Sequence, residues 1–380
     1  MKKLLYLFLV FILIFSCESK TEKIEKKEID GVVHILNKET PLRRTVELEI
    51  EKTREIDPYK FENINLRFCF PERSRDGEVI LYDPNDSEVQ RFNPDGTYAG
   101  KLVRVGQGPG EFSTSQGLKV HYMGSQIWVT SSTKLAKFDR NGYFLEERRL
   151  SGSPEVFVDE TRFISSKRIR TKKGGFSSVI IVDLEEDEQE ATTIFEADVK
   201  GMIRFVQGTR TRNFTDDWAT PKIVYTFDEE YKRVYIALNA DYKIYVKNPA
   251  GDTLYVINRP YNRIKVGFKE KEMILGPIVR NEAWKWMLDA YPDTLVAIKD
   301  LKTLPNGYLA VYRVSGVKQF EIDVYDPEGK YVYLIKIPEG LVLDMEQFFD
   351  SGFFNIEPRE DFRVYVEYRI KNLSEIFRNN

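Results

Sequence analysis

The apolar positions of this chain fall in short runs bounded by Gly, Pro, Asn or Asp. No long helical period dominates, so the pattern predicts mainly strands and tight turns. One unit recurs: VQRFNPDGTY at Val89–Tyr98, KLAKFDRNGYF at Lys134–Phe144, KIYVKNPAGDTL at Lys243–Leu254 and EIDVYDPEGKY at Glu321–Tyr331. In each copy an Asn or Asp opens the turn by accepting a backbone N–H two residues on. Gly then takes the left-handed conformation, which suits a type I turn closed by a G1 bulge between two strands. A further strand precedes each copy, at Glu78–Tyr82, Gln126–Thr130, Arg233–Ala237 and Gly307–Tyr312.

A fourth strand per repeat is expected from segments such as Asn65–Pro71. Four-stranded meanders repeated around an axis are the plan of a β-propeller. Weaker copies fill the gaps. Ser178–Leu184 leads through an acidic turn into Ala191–Phe195, and Phe362–Arg369 supplies the inner strands of a last blade. That blade lacks an outer hairpin, and Arg44–Ile50 could complete it, closing the ring and removing its open edges. The count is six: 62–113, 114–152, 153–200, 201–260, 295–342, and 343–375 completed by 31–55. The expected fold is thus all-β, one six-bladed β-propeller over 31–380, with a helical insertion near 269–290. Met273, Ile274, Ile278, Trp284, Met287 and Leu288 form the apolar face of that insertion, and Gly276-Pro277 interrupts it. It reads as a cap over blade edges or, alternatively, as a substrate lid.

The first residues have another character. Met1-Lys2-Lys3 is basic and Leu4–Phe15 is an unbroken apolar run. It is shorter than the ~20 residues that span a bilayer, and it fits a secretory leader. It ends Ile14-Phe15-Ser16-Cys17, which resembles the lipobox of bacterial lipoproteins, although Phe15 is bulkier than the usual residue there. The resemblance implies a signal peptide at 1–16, a diacylglycerol on the Cys17 sulfur, and a lipid-anchored protein of the bacterial cell envelope on the outer membrane, facing the periplasm or the surface. The alternative is an ordinary signal peptide with an incidental Cys. Glu18–Glu28 is almost entirely charged or hydroxylic and cannot bury enough apolar surface to order itself, so 17–30 reads as a tether.

Composition narrows the rest. The chain has 57 Lys+Arg against 60 Asp+Glu, net −3, or −5 once Lys2 and Lys3 leave with the leader. That excludes a broad nucleic-acid footprint. The local stripe Lys167–Lys173 lacks interleaved aromatics and reads as a solvated loop or edge strand. With Cys17 acylated, Cys69 has no disulfide partner, and its apolar setting, Leu66-Arg67-Phe68-Cys69-Phe70, is that of a buried structural thiol.

Val105-Gly106-Gln107-Gly108-Pro109-Gly110-Glu111-Phe112 resembles the G-x-G-P-G-E-F signature of bacterial six-bladed β-propeller lipoproteins, relatives of NHL-repeat propellers. The resemblance runs from about residue 40 onward and is faint at 160–220. Three glycines open backbone conformations closed to other residues, so the segment reads as a tight inter-blade crossover in which Glu111 accepts backbone N–H groups. The competing reading is an anion-binding loop using Arg104, Gln107 and Glu111, the candidate binding residues of the chain. No Lys-Ser/Thr follows, as a nucleotide loop would need.

Catalytic chemistry finds little support. Some NHL-type propellers are zinc-dependent lyases with several His ligands in the channel, but this chain has only His34 and His121. No G-x-S-x-G elbow is present. The residues therefore nominate no catalytic or metal-ligating group and no cofactor. The expected role is a monomeric, membrane-displayed binding module for a protein, peptide or glycan. A calcium-dependent hydrolase or lyase of propeller fold is the alternative, and an axial cluster of three or more carboxylates would favour it.

Overall fold

The computed structural model describes residues 24–372, apart from 62–63, 65–68, 84–87, 114–116, 151, 172–173, 186–190, 199–202, 208–209, 215–217, 283–284, 339–340, 342–346, 350 and 360–361. Six antiparallel meanders surround an axis. Blade 1 is Phe70–Arg73, Val79–Asp83, Glu88–Phe92 and Tyr98–Lys101. Blade 2 is Lys119–Met123, Gln126–Thr130, Lys134–Asp139 and Phe144–Arg149. Blade 3 is Val156–Phe157, Arg162–Thr171, Gly174–Asp183 and Ala191–Asp198. A separate hairpin, Ile203–Gln207 with Arg210–Phe214, precedes blade 4. Blade 4 is Ile223–Asp228, Arg233–Leu238, Lys243–Lys247 and Thr253–Asn258. Blade 5 is Ile298–Thr303, Leu309–Gly316, Gln319–Tyr325 and Tyr331–Lys336. Blade 6 is Gln347–Phe349, Gly352–Pro358 and Arg363–Ile370, completed by Ile50–Ile56. Each blade's first strand is innermost.

The second strands are buried on both faces, which is why they read as unbroken apolar runs rather than alternating ones. In blade 1, Val79 and Leu81 pack toward blade 6 with Ile56, Phe354 and Tyr365, whereas Ile80 and Tyr82 pack toward blade 2 with Val120 and Ile127. One such apolar cluster fills each blade–blade interface around the ring. Cys69 is 2% exposed among the residues between blades 6 and 1, and burial pushes its thiol up to about 12, leaving it inert.

The repeated turn does more than reverse the chain. Gly96, Gly142, Gly251 and Gly329 all have positive φ, and the strand register slips by one residue beside each, as a G1 bulge requires. Each glycine also faces the preceding blade. A Cβ at Gly329 would lie 2.9 Å from the Tyr255 ring, and one at Gly142 would lie 2.9 Å from the Arg91 guanidinium. The residue after the opening Asn or Asp offers its carbonyl to an arginine of the preceding blade. Arg54 donates to Pro94 O at 2.6 Å, Arg91 to Arg140 O, and Arg233 to Pro327 O at 2.5 Å. The turn is therefore a blade-docking device.

The N-terminal segment runs around the outside of three blades. Glu25–Ile29 and Val32–Leu36 form a hairpin whose second strand adds in parallel to the outer edge of blade 4. There His34 Nδ1 meets Asn258 Nδ2 at 3.0 Å. Arg44–Glu47 adds in parallel to blade 5, and only Ile50–Ile56 closes blade 6. Three details thus differ from the sequence reading. Arg44–Glu47 serves blade 5, not blade 6; Arg363–Ile370 is the third strand of its blade, not an inner one; and the first strand of blade 1 is Phe70–Arg73. Alternation reports which face a strand buries but not which edge it joins. The expected tether is a strand from Glu25 onward, with its side chains exposed.

Between blades 4 and 5 the insertion forms helices Phe268–Leu275, Pro277–Arg280 and Met287–Ala290, broken at Gly276 (φ 56) as the sequence predicts. Met287, Leu288 and Leu275 are buried against Val266, Val296 and Val314. Ile274 and Ile278 pack at the margin and Met273 is exposed, while Trp284 lies outside the described residues.

Candidate functional site

The glycine-rich signature closes on itself. Val105 and Phe112 form a parallel bridge, Gly106 N–H donates to Phe112 O at 3.0 Å, and Phe112 N–H donates to Arg104 O at 3.0 Å. The Glu111 carboxylate accepts Gly108 N–H at 2.9 Å, and Gly110 N–H donates to Glu147 at 3.0 Å. A Cβ at Gly106 would sit 2.0 Å from the Glu111 carboxylate. Of the three glycines only Gly110 has positive φ, 70°, and a Cβ there would meet the Phe144 ring at 2.6 Å. The donors that a phosphate cradle would offer are thus used internally. Gln107 and Glu111 border a shallow pocket of about 230 Å³ with Lys134, whereas Arg104 lies exposed outside it.

The larger concavity is the axial channel, about 1000 Å³. Every blade's first strand contributes to it: Glu72, His121, Val156 and Phe157, Tyr225 and Thr226, Lys302 and Thr303, and Gln347 and Phe348. Most charged groups on its wall and rim are already paired. Arg73 binds Glu367 at 2.9 Å, Arg140 lies 3.4 Å from Glu78 and 3.6 Å from Asp76, Lys302 pairs with Asp300 at 3.2 Å, and Asp159 pairs with Arg162 at 2.7 Å. At the mouth Arg75 of blade 1 reaches Glu229 of blade 4, on the opposite side of the ring, at 3.8 Å. Glu160 and Lys232 stand exposed at the rim.

Burial pushes the Glu72 carboxyl up to about 8, against the pull of Lys302. His121 packs edge-on against Phe157 at 5.0 Å, and burial with nearby Lys119 pushes its imidazole down to about 3. Its Nε2 and the Tyr122 hydroxyl have no hydrogen-bond partner, an arrangement that costs about 1–3 kcal/mol per group. Glu155 accepts the Tyr225 hydroxyl and the Ser166 N–H. Among the described residues, no group of three or more His, Cys, Asp or Glu side chains is placed to hold a metal ion. Nothing in the sequence singles out His121 or Glu72 among the strand residues. Only the ring, by setting first strands side by side, reveals that both face one space.

Residues 73–247 match the sequence profile of a family described as "6-bladed beta-propeller". The chain is a six-bladed β-propeller. The fold is shared with a candidate exported protein from Bacteroides fragilis, at 14% identity, covering 89% of this chain and 99% of that one with a TM-score of 0.50. A DUF4221 family member from Bacteroides vulgatus is also similar, at 12% identity, covering 86% of this propeller and 99% of that chain with a TM-score of 0.47. No curated protein sequence matches. Cys17 lies outside the described residues, and among those described no helix of the propeller is long and apolar enough to cross a membrane.

Proposed function

We propose that this propeller is an exported lipoprotein, anchored to the cell envelope through Cys17, that works as a monomeric binding module with the axial channel as its ligand site. The channel carries the reading: its wall is assembled from all six blades and is lined by polar and charged side chains, among them Glu72, Tyr225, Thr226 and Lys302. Such a convergence of polar groups in a largely preformed concavity is what a ligand site offers. The leader ending at Cys17 and the fold shared with a candidate exported protein support export. A calcium-dependent hydrolase or lyase would need converging carboxylates, whereas most of the channel's carboxylates are tied to cations.

Two measurements test the proposal. Cys17→Ser should abolish metabolic labelling with an alkynyl fatty acid and move the protein out of the membrane fraction; persistent labelling overturns the anchor. Thr226→Trp should plug the channel and remove the thermal stabilisation produced by binding ligands. Ligand stabilisation undiminished in that variant places the site elsewhere.

A further inference from the structure

The two ends of the ring differ, and the start of the described chain marks one of them. In blade 4 the turns after Asp228 and Lys247 lie at one end. The Leu238–Lys243 turn and the close of the outer strand at Asn258 lie at the other. The turn after Asp228 brings Glu229 and Lys232 to the channel mouth. Val32–Leu36 runs parallel to the outer strand and sets Leu36 beside Asn258, and Glu25 pairs with Leu36. Glu25 therefore stands at the end away from the mouth. The helical insertion leaves blade 4 at that same end. Its core packs on Val314, beside the Gly316–Gln319 turn of blade 5, and Arg263 meets Asp241 of the Leu238–Lys243 turn at 2.7 Å.

We propose that this end of the propeller lies on the bilayer surface, with the exposed side of the insertion against lipid and the channel mouth turned away; the argument rests on the anchor at Cys17. Cys17 and Glu25 are eight residues apart, and a fully extended chain of that length spans at most about 26–29 Å. Turning the mouth to the membrane would send the tether back along a whole blade, about 17–20 Å, and leave little length to reach the lipid. The surface beside the anchor is apolar and cationic. On the helix Phe268–Leu275, Lys271 and Leu275 are buried, and the other side carries Phe268 and Met273, each 55% exposed, with Lys269 between them. Met273, exposed Arg280 and exposed Lys318 border one groove against the Gly316–Gln319 turn. Of the helix's acids, Glu270 accepts its own Gly267 N–H at 3.0 Å and Glu272 is exposed. Apolar side chains ringed by cations suit the headgroup region of an anionic bilayer, where such a face sinks about 5–10 Å.

The test uses the full acylated chain in vesicles of phosphatidylethanolamine and phosphatidylglycerol. Phe268→Cys, Met273→Cys and Arg75→Cys each receive a bimane label; all three positions are exposed, and Arg75 is at the mouth. Cys69 is buried with its thiol pushed up to about 12, so it takes no label. Lipids with a nitroxide near the glycerol end of an acyl chain should remove most of the emission at 268 and 273 and leave that at 75 unchanged. A nitroxide near the methyl end should quench less. Undiminished emission at 268 and 273, or an equal loss at 75, overturns the proposal; the anchor still stands if the wild-type chain carries the alkynyl fatty acid. A wild-type chain without that label removes the anchor and the proposal with it. In cells, a photo-crosslinker at position 273 should yield lipid adducts. Adducts with protein alone place a protein partner on this face and overturn the assignment to lipid.

Discussion

Three nested truncations separate the points at which the N-terminal segment joins the ring. Removing residues through Asn37 takes away Ile35, 3% exposed, whose burial contributes about 1.5–3 kcal/mol. It also removes two Asn37 side-chain bonds, to Gly329 O at 3.0 Å and from Tyr331 N–H at 2.8 Å, each worth about 1 kcal/mol. Every blade remains complete. Removing residues through Glu49 adds the loss of Val46 and Leu48, both 6% exposed and of comparable individual worth, and still leaves the ring closed. Removing residues through Ile56 strips the outer strand of blade 6, buried Ile56, and the Arg54 bonds to Gly77 O and Pro94 O that dock blade 6 on blade 1. It also leaves buried Glu367 with Arg73 as its remaining cation. Together these losses reach the ~5–15 kcal/mol that holds a whole domain folded. The first two truncations should lower the urea midpoint stepwise with a sharp transition, and the third should abolish cooperative unfolding, as followed by tryptophan fluorescence. A third truncation that unfolds at the full-length midpoint would refute the closure argument, and so would a first truncation that destroys cooperativity.

Other expectations can be checked by melts. Gly329→Ala should cost about 2–4 kcal/mol, from left-handed strain plus crowding against Tyr255 and Ile257, whereas Gly31→Ala, also at positive φ but with nothing within 4 Å, should lose only the strain of about 1–2 kcal/mol. Gly106→Ala and Glu111→Ala should destabilise to similar extents, because each breaks the same contact between carboxylate and loop; a large difference between them would place Glu111 in another role. Glu72 has a raised folded value, so its contribution to stability is complete below about 4.5 and is lost as pH rises through about 8; Glu72→Gln should flatten the stability profile across that window. His121 is a base with a lowered folded value, so its contribution holds above about 6.5 and is lost as pH falls through about 3; His121→Phe should flatten the acid limb.

Most of the fold was legible because a propeller is written locally. The turn around Gly96, Gly142, Gly251 and Gly329 needs a hydrogen-bonding Asn or Asp and a residue free to take positive φ, and both requirements lie within a few residues of one another. The buried second strands announce themselves by apolar content, and the helical insertion by its change of period and its Gly-Pro break. Edge choice was not legible. Arg44–Glu47 and Ile50–Ile56 are both short, mainly polar segments, yet one joins blade 5 and the other blade 6, because partnership depends on which edge the folded ring leaves bare. The channel was hidden for the same reason. Glu72 and His121 are ordinary half-polar strand residues until six first strands converge, and only that convergence removes enough water to hold a carboxyl and an imidazole neutral in one space.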